Sequence, residues 1–156
     1  MQPLKQKAHT NVQARYPRMV ILWFGQLMSI GALLLFSLFV GPEPGDQPDT
    51  SLNSILIIAL TALGTFLVIV SFVVKRKLLE RSVEKQDIEL VQRAFVMAVA
   101  MCEMSAMLGV IERFVINDRY YYLLFLIAAA GTAFHFPRPE HLAAATYKAS
   151  TNGSTF

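Results

Sequence analysis

Glu103 is an acidic side chain near the middle of the apolar run 94–116. Insertion scales charge about 2.5–3.5 kcal/mol for an Asp at the centre of a membrane helix, and simulations charge more for ionised groups. Glu103 is therefore expected to be neutral, hydrogen-bonded or beside water. Two kinds of chemistry meet those terms: a carboxyl that takes up and releases a proton or ion, and a carboxyl that staples helices together without titrating. Polar groups at a similar depth in the other apolar runs are Gln26, Ser29, Thr65 and Thr132. These are the candidate hydrogen-bond partners, Gln26 and Ser29 first. On a helix, Glu103 shares a face with Val99, Ala100, Ala106 and Val110. That face lies more than a quarter-turn from Cys102 and Ser105, so Glu103 is expected to meet a second partner surface.

The remaining reactive residue types form no constellation. Cys102 is the one cysteine, so no internal disulfide is available, and inside an apolar run it reads as a small buried thiol. His9, His135 and His141 have no metal-ligand spacing with one another or with Cys102, and no metal or cofactor is expected. Met97, Met101, Met104 and Met107 are packing filler on one helix. The sequence holds no glycine-rich phosphate loop and no nucleophile elbow, so an enzyme is not expected. His135, just before Phe136-Pro137-Arg138, reads as an interfacial residue or a partner of the helix dipole, with a weaker reading as a proton entry group for Glu103.

The elements that position these residues follow from the apolar runs. The 156 residues are 54% hydrophobic, with a mean hydropathy of +0.46. Four runs are predicted as membrane spans, at 19–40, 52–74, 94–116 and 120–136. A helix of 22 residues reaches about 33 Å, enough for a hydrocarbon core of about 30 Å. The fold class expected is all-α: an integral membrane four-helix bundle built from two helical hairpins. The first span stops at Gly41-Pro42-Glu43-Pro44-Gly45, which cannot continue a helix, and the second stops at Lys75-Arg76-Lys77. The long first span, with no clear cleavage site behind it, reads as its own insertion signal.

Charge gives the direction. Lys5, Lys7, Arg15 and Arg18 precede the first span, and the next loop has Glu43, Asp46 and Asp49 with no base. The second loop carries Lys75, Arg76, Lys77, Arg81, Lys85 and Arg93, and Arg138 opens the C-terminal tail. The short third loop balances Arg113 and Arg119 against Glu112 and Asp118. The positive-inside rule then places both tails, 1–18 and 137–156, and the second loop in the cytoplasm, with a bacterial inner membrane as the expected site. The partner this implies is the lipid bilayer. The basic residues flank apolar runs and form no patch, so nucleic acid is not expected despite a net charge of +3. Residues 75–93 contain no Gly or Pro and are expected to extend the second and third helices as a helical hairpin, read as a solvated connector or, more sharply, as a docking surface. Asn152-Gly153-Ser154 matches a glycosylation sequon, which a cytoplasmic tail cannot use, and 149–156 is expected to be disordered.

Helices in lipid associate through small residues. Ala94, Ala98, Cys102, Ser105 and Gly109 form one stripe on the third span. Ser54, Thr61, Gly64 and Ser71 follow a similar line on the second, Gly25, Ser29 and Ala32 on the first, and Ala128 to Thr132, including Gly131, on the fourth. These stripes are expected to be the inner faces of the bundle.

The stretch Ala100-Met-Cys-Glu103-Met-Ser-Ala106-Met-Leu-Gly109-Val-Ile111 resembles the carboxylate helix of the rotary ATPase proteolipid, ATP synthase subunit c. Glu103, Ala106 and Gly109 stand where that helix has its Glu, Ala and Gly, and both helices leave a basic loop in the same direction. The likeness covers at most 52–116, and its specific part is a dozen residues. It implies that Glu103 binds and releases the transported ion. The second run has only Gly64 where subunit c has a glycine repeat, and the loop 75–93 is long and lacks proline. The residue after Glu103 is Met104 and the second run has no Gln, which points to a proton rather than sodium. The function expected is thus a structural or accessory membrane subunit with a buried, neutral Glu103, in a homo-oligomer or a larger membrane complex. The alternative is a proteolipid-like protein that translocates protons through Glu103.

Overall fold

The structure is a computed structural model that describes residues 2–42 and 51–145, with side chains from 15–42 and 53–145. The acids of the first loop, the bases of the first tail before Arg15, His9 and the sequon at 152–154 fall outside those side chains. The described residues are helical, in the order α1 (Gln2–Val40), α2 (Ser51–Lys85), α3 (Ile88–Ile111), a π-helical turn (Glu112–Ile116), α4 (Tyr122–Phe134) and α5 (Pro139–Ala144). Three stretches, Arg15–Val40, Asn53–Lys85 and Ile88–Ile116, are long and apolar enough to cross a membrane.

The helices overrun the apolar runs at one end. α1 continues through Pro17 back to Gln2. Pro17 costs one intrahelical hydrogen bond, and it sits among polar residues, where water can satisfy the freed carbonyl. α2 and α3 extend until they meet at a two-residue turn. There Gln86 adopts a left-handed conformation at φ 52°. Its N–H donates to Val83 O at 3.3 Å, and Asp87 N–H donates to Ser82 O at 3.0 Å. This is the paired bonding that closes a helix C-terminus. Asp87 then caps α3 by accepting from Glu89 N–H at 2.8 Å.

Of the two sequential hairpins expected from the sequence, α3 packs against α4 as expected, but α1 does not pair with α2. α2 and α3 make the largest interface, while α1 packs against α3 and α4 instead of against α2, its neighbour in the chain. The reason is reach and complementarity. Residues 41–50 can span roughly 33–36 Å when extended, so α1 is free to cross to the face of α3 that α2 leaves open. α3 is therefore the central helix. Ala94, Ala98, Cys102, Ser105 and Gly109 are all buried along it. The other expected faces are covered less: on α2 Gly64 and Ser71 are buried but Ser54 is exposed, and on α1 Gly25 and Ala32 are exposed with only Ser29 partly covered.

Two apolar clusters hold the ends. Met19, Val91, Phe95, Val99, Leu142 and Ala145 pack at the end near Lys75. Leu142 and Ala145 show that residues 139–145 are docked on the bundle and are not a free tail. Ile30, Ala106, Tyr121, Phe125 and Ala128 pack toward the Arg113 end. α4 has 13 residues, against the run 120–136 expected. Arg138 and Pro139 start α5 after the break at His135–Pro137, because the residue before a proline avoids the helical region.

Candidate functional site

Glu103 sits on the side of α3 that faces α1, where Ser29 Oγ donates to its Oε1 at 3.1 Å. Glu103 is not buried as expected: it is only partly covered, because α1 shields one side of it and no described helix covers the other. Gln26, the other first candidate, is not its partner: Gln26 Nε2 is buried with no hydrogen bond among the described residues. Thr65 donates to Thr61 O within α2 at 2.8 Å, and Thr132 is a buried residue whose carbonyl accepts from Trp23 Nε1 at 2.7 Å. Of the four candidates, the structure brings only Ser29 to Glu103.

A second polar group lies on the opposite side of α3, along the seam with α2 and α4. His135 is fully buried at the C-terminal end of α4, and its Nε2 is 2.7 Å from Ser71 Oγ. Ser71 has one proton, and the Val68 carbonyl at 2.6 Å takes it. The imidazole must then donate from Nε2, which leaves Nδ1 as a bare acceptor, buried and without a partner among the described residues. Cys102 Sγ approaches the same Ser71 oxygen at 3.8 Å, and the Phe72 ring covers the imidazole at 4.3 Å between centroids. Lys75 Nζ donates to the His135 carbonyl at 3.3 Å, placing a cation on the negative end of the α4 dipole. The small-residue line makes this approach of helices possible. A Cβ on Gly131 would meet Val68 Cγ1 at 2.7 Å and Cys102 Sγ at 3.0 Å, and one on Gly64 would meet Leu124 Cδ2 at 2.6 Å.

The third polar group was read as loop charge and is buried instead. Glu112 is 1% exposed and accepts from Thr61 Oγ1 at 2.9 Å. Arg113, 4% exposed, donates from Nε to Ser37 O at 3.4 Å and from Nη1 to Asn117 Oδ1 at 3.2 Å. Its guanidinium lies 4.9 Å above the Tyr121 ring. Glu112 makes no salt bridge with Arg113 or with any other described base; Arg76–Glu80, exposed on α2, is an ion pair. The wide turn at 112–116 lets these two neighbours both point inward, Glu112 to α2 and Arg113 to the end of α1. A signal for Glu112 was present in the sequence. The spacing of 4, 4, 3 and 4 along the α3 stripe continues by 3 from Gly109 to Glu112.

The site thus has carboxyls at two depths, Glu103 on α3 and Glu112 in the turn that continues it, nine residues or about 13.5 Å apart, and one imidazole at the Lys75 end of the seam. Each has a hydroxyl within hydrogen-bond reach: Ser29, Thr61 and Ser71. Among the described residues no three of His, Cys, Asp and Glu gather as a metal site. No protein-family model, curated protein or solved structure matches the chain.

Proposed function

We propose that this chain is a four-span membrane protein, with both termini in the cytoplasm, that serves as a structural or accessory subunit of a membrane assembly. Glu103 is its neutral hydrogen-bonding group at a helix-docking face. The carrying observation is the state of that face. Glu103 is bonded to Ser29 and only partly covered, and beside Ser29 on α1 the small positions Gly25 and Ala32 lie exposed, with nothing within 4 Å of a Cβ on Gly25. Small residues beside a hydrogen-bonding group are what a transmembrane helix uses to receive another. The occupant is a helix of a second subunit. Lipid as the surrounding solvent is supported by the outward side chains of α1 and α2. Ile21, Phe24, Met28 and Phe39 on α1, with Ile58 and Phe66 on α2, are exposed, far more apolar surface than a water-soluble monomer carries. In this reading α4 is the fourth span, completed by Tyr120 and Tyr121 at one end and His135 to Pro137 at the other.

Glu103→Gln keeps the shape and hydrogen bonding of the side chain and removes its titration, so the variant is expected to fold and to co-purify with the same subunits in mild detergent. Gly25→Leu is expected to leave the melting temperature of the isolated chain unchanged, because the site is open, and to lose the associated subunit. Retention of the subunit by Gly25→Leu would remove the docking face. Direction is read by labelling single cysteines: a probe confined to the outside is expected to label position 46 and to leave position 85 unlabelled, the native Cys102 being buried. Outside labelling at position 85 reverses the topology.

The second reading, proton translocation, is favoured by Glu112, a carboxyl buried against Thr61 without a base. With Glu103 it supplies titratable groups at two depths, and water would have to join them. In vesicles containing the purified chain, this reading expects proton uptake that Glu103→Gln abolishes while folding is retained. No uptake by the wild-type chain leaves the accessory role.

A further inference from the structure

α2 runs beyond its apolar stretch, and the face it presents there, at positions 72, 75, 76, 79, 80 and 83, forms an open groove of about 330 Å³ with His141 of α5. The groove changes character along its length. Phe72 belongs to the apolar stretch, Lys75 and Arg76 follow within one turn, and Leu79 supplies a second apolar surface beyond them. Two basic side chains line it, Lys75 and Arg76, and Arg138 at the start of α5 stands near them. Lys75 uses one donor on the His135 carbonyl and has no carboxylate partner among the described residues. Arg76 is held by Glu80 at 3.0 Å, but both side chains are well exposed, and such pairs contribute little. Lys75 is held below its ordinary value by burial and then by the charge of Arg138. Burial, and then the cations of Lys75 and Arg138, hold His141 below its ordinary imidazole value against the pull of Glu140. The groove therefore carries more positive charge than its own acids balance, next to apolar surface, at the boundary of a span.

We propose that this groove binds the phosphate headgroup of an anionic phospholipid, with Lys75, Arg76 and Arg138 on the phosphate and Phe72 and Leu79 along the start of an acyl chain. A free phosphate would use the cations and leave the apolar surface wet, whereas a lipid uses both. Basic pockets at this level of a helix bundle are suited to such headgroups. The proposal rests on the membrane reading above.

The test exposes the detergent-purified full chain to an equimolar mixture of phosphatidylglycerol and phosphatidylcholine and counts the bound lipids by native mass spectrometry. Phosphatidylglycerol is expected to be retained about tenfold over phosphatidylcholine, and each of Arg76→Gln and Arg138→Gln to lower its retention about fivefold. Neither arginine is buried, so the lipid-free variants should melt with the wild type. Equal retention of the two lipids overturns the site, and so does undiminished phosphatidylglycerol on both arginine variants. Displacement of the lipid by millimolar inorganic phosphate would assign the groove to the free anion. A chain that binds neither lipid and stays in solution once detergent is removed overturns the membrane reading as well.

Discussion

Gly109→Leu is expected to lower the melting temperature in mild detergent by about 10 °C, or to leave no folded chain to measure. A Cβ at this position would stand 2.9 Å from Phe125 Cε2 and 3.2 Å from Leu124 Cβ. Both side chains are fully buried, and neither contact is the far end of a flexible side chain. Leucine adds three more carbons to that collision. Overpacking typically costs about 1–3 kcal/mol, occasionally more, against at most about 1 kcal/mol gained from helix propensity. About 3 kcal/mol corresponds to roughly 10 °C for a chain of this size. Met104→Leu is the control. Met104 is exposed and the swap conserves volume, so its melting temperature should stay near wild type. Indistinguishable melting of the two variants would mean that α3 does not meet α4 through Gly109.

Arg113→Met should destabilise the chain by about 3 kcal/mol, the largest effect expected from any single polar group. Methionine keeps much of the length and loses everything the guanidinium does. The Ser37 carbonyl loses its donor, Asn117 loses its partner, and Tyr121 loses the cation over its ring. The guanidinium also fills the space over Gly41, where a side chain would run into Arg113 and the Ser37 carbonyl. Arg113→Lys should not rescue, because one ammonium cannot reproduce a planar fork that reaches two acceptors and covers a ring. Wild-type thermal stability in either variant would show that Arg113 does not anchor the end of α1.

How much of this was visible in the residues differs from element to element. The helices were, because a run as long and apolar as Leu52–Val74, without Gly or Pro breaks other than Gly64, suits a helix that satisfies its backbone internally. The stripe from Ala94 to Gly109 was visible too, since a spacing of three and four residues marks one face of a helix. The arrangement of the helices was not. A stripe says that a face is used and not which helix uses it, so the α1–α2 hairpin looked natural and α3 at the centre did not. Ser29 and Gln26 were matched to Glu103 by depth, and depth alone could not choose between them; rotation about the α1 axis, three residues apart, brings Ser29 to the carboxyl. Glu112 and Arg113 were read as loop charges because charge at the end of an apolar run usually is. The stripe spacing does continue to Glu112, but the inward turn of Arg113 beside it depends on the π-helical turn, which no residue type in Glu112–Ile116 announces. His135 was placed at the correct end of its helix, but its hydroxyl partner lies 64 positions away, beyond anything a local pattern can report.

The packing of α1 sets an order in time. Among the described helices, α1 is made before the groups that hold it. Ser29 waits for Glu103, Trp23 for the Thr132 carbonyl, and the Ser37 carbonyl for Arg113. At synthesis rates of about 5–20 residues per second, the interval from Val40 to Phe134 is roughly 5–20 s. α2 and α3 do not wait, since a two-residue turn brings their shared interface together as soon as both exist. The turn therefore allows the largest interface among the described residues to form before α4 supplies the Thr132 carbonyl that holds Trp23.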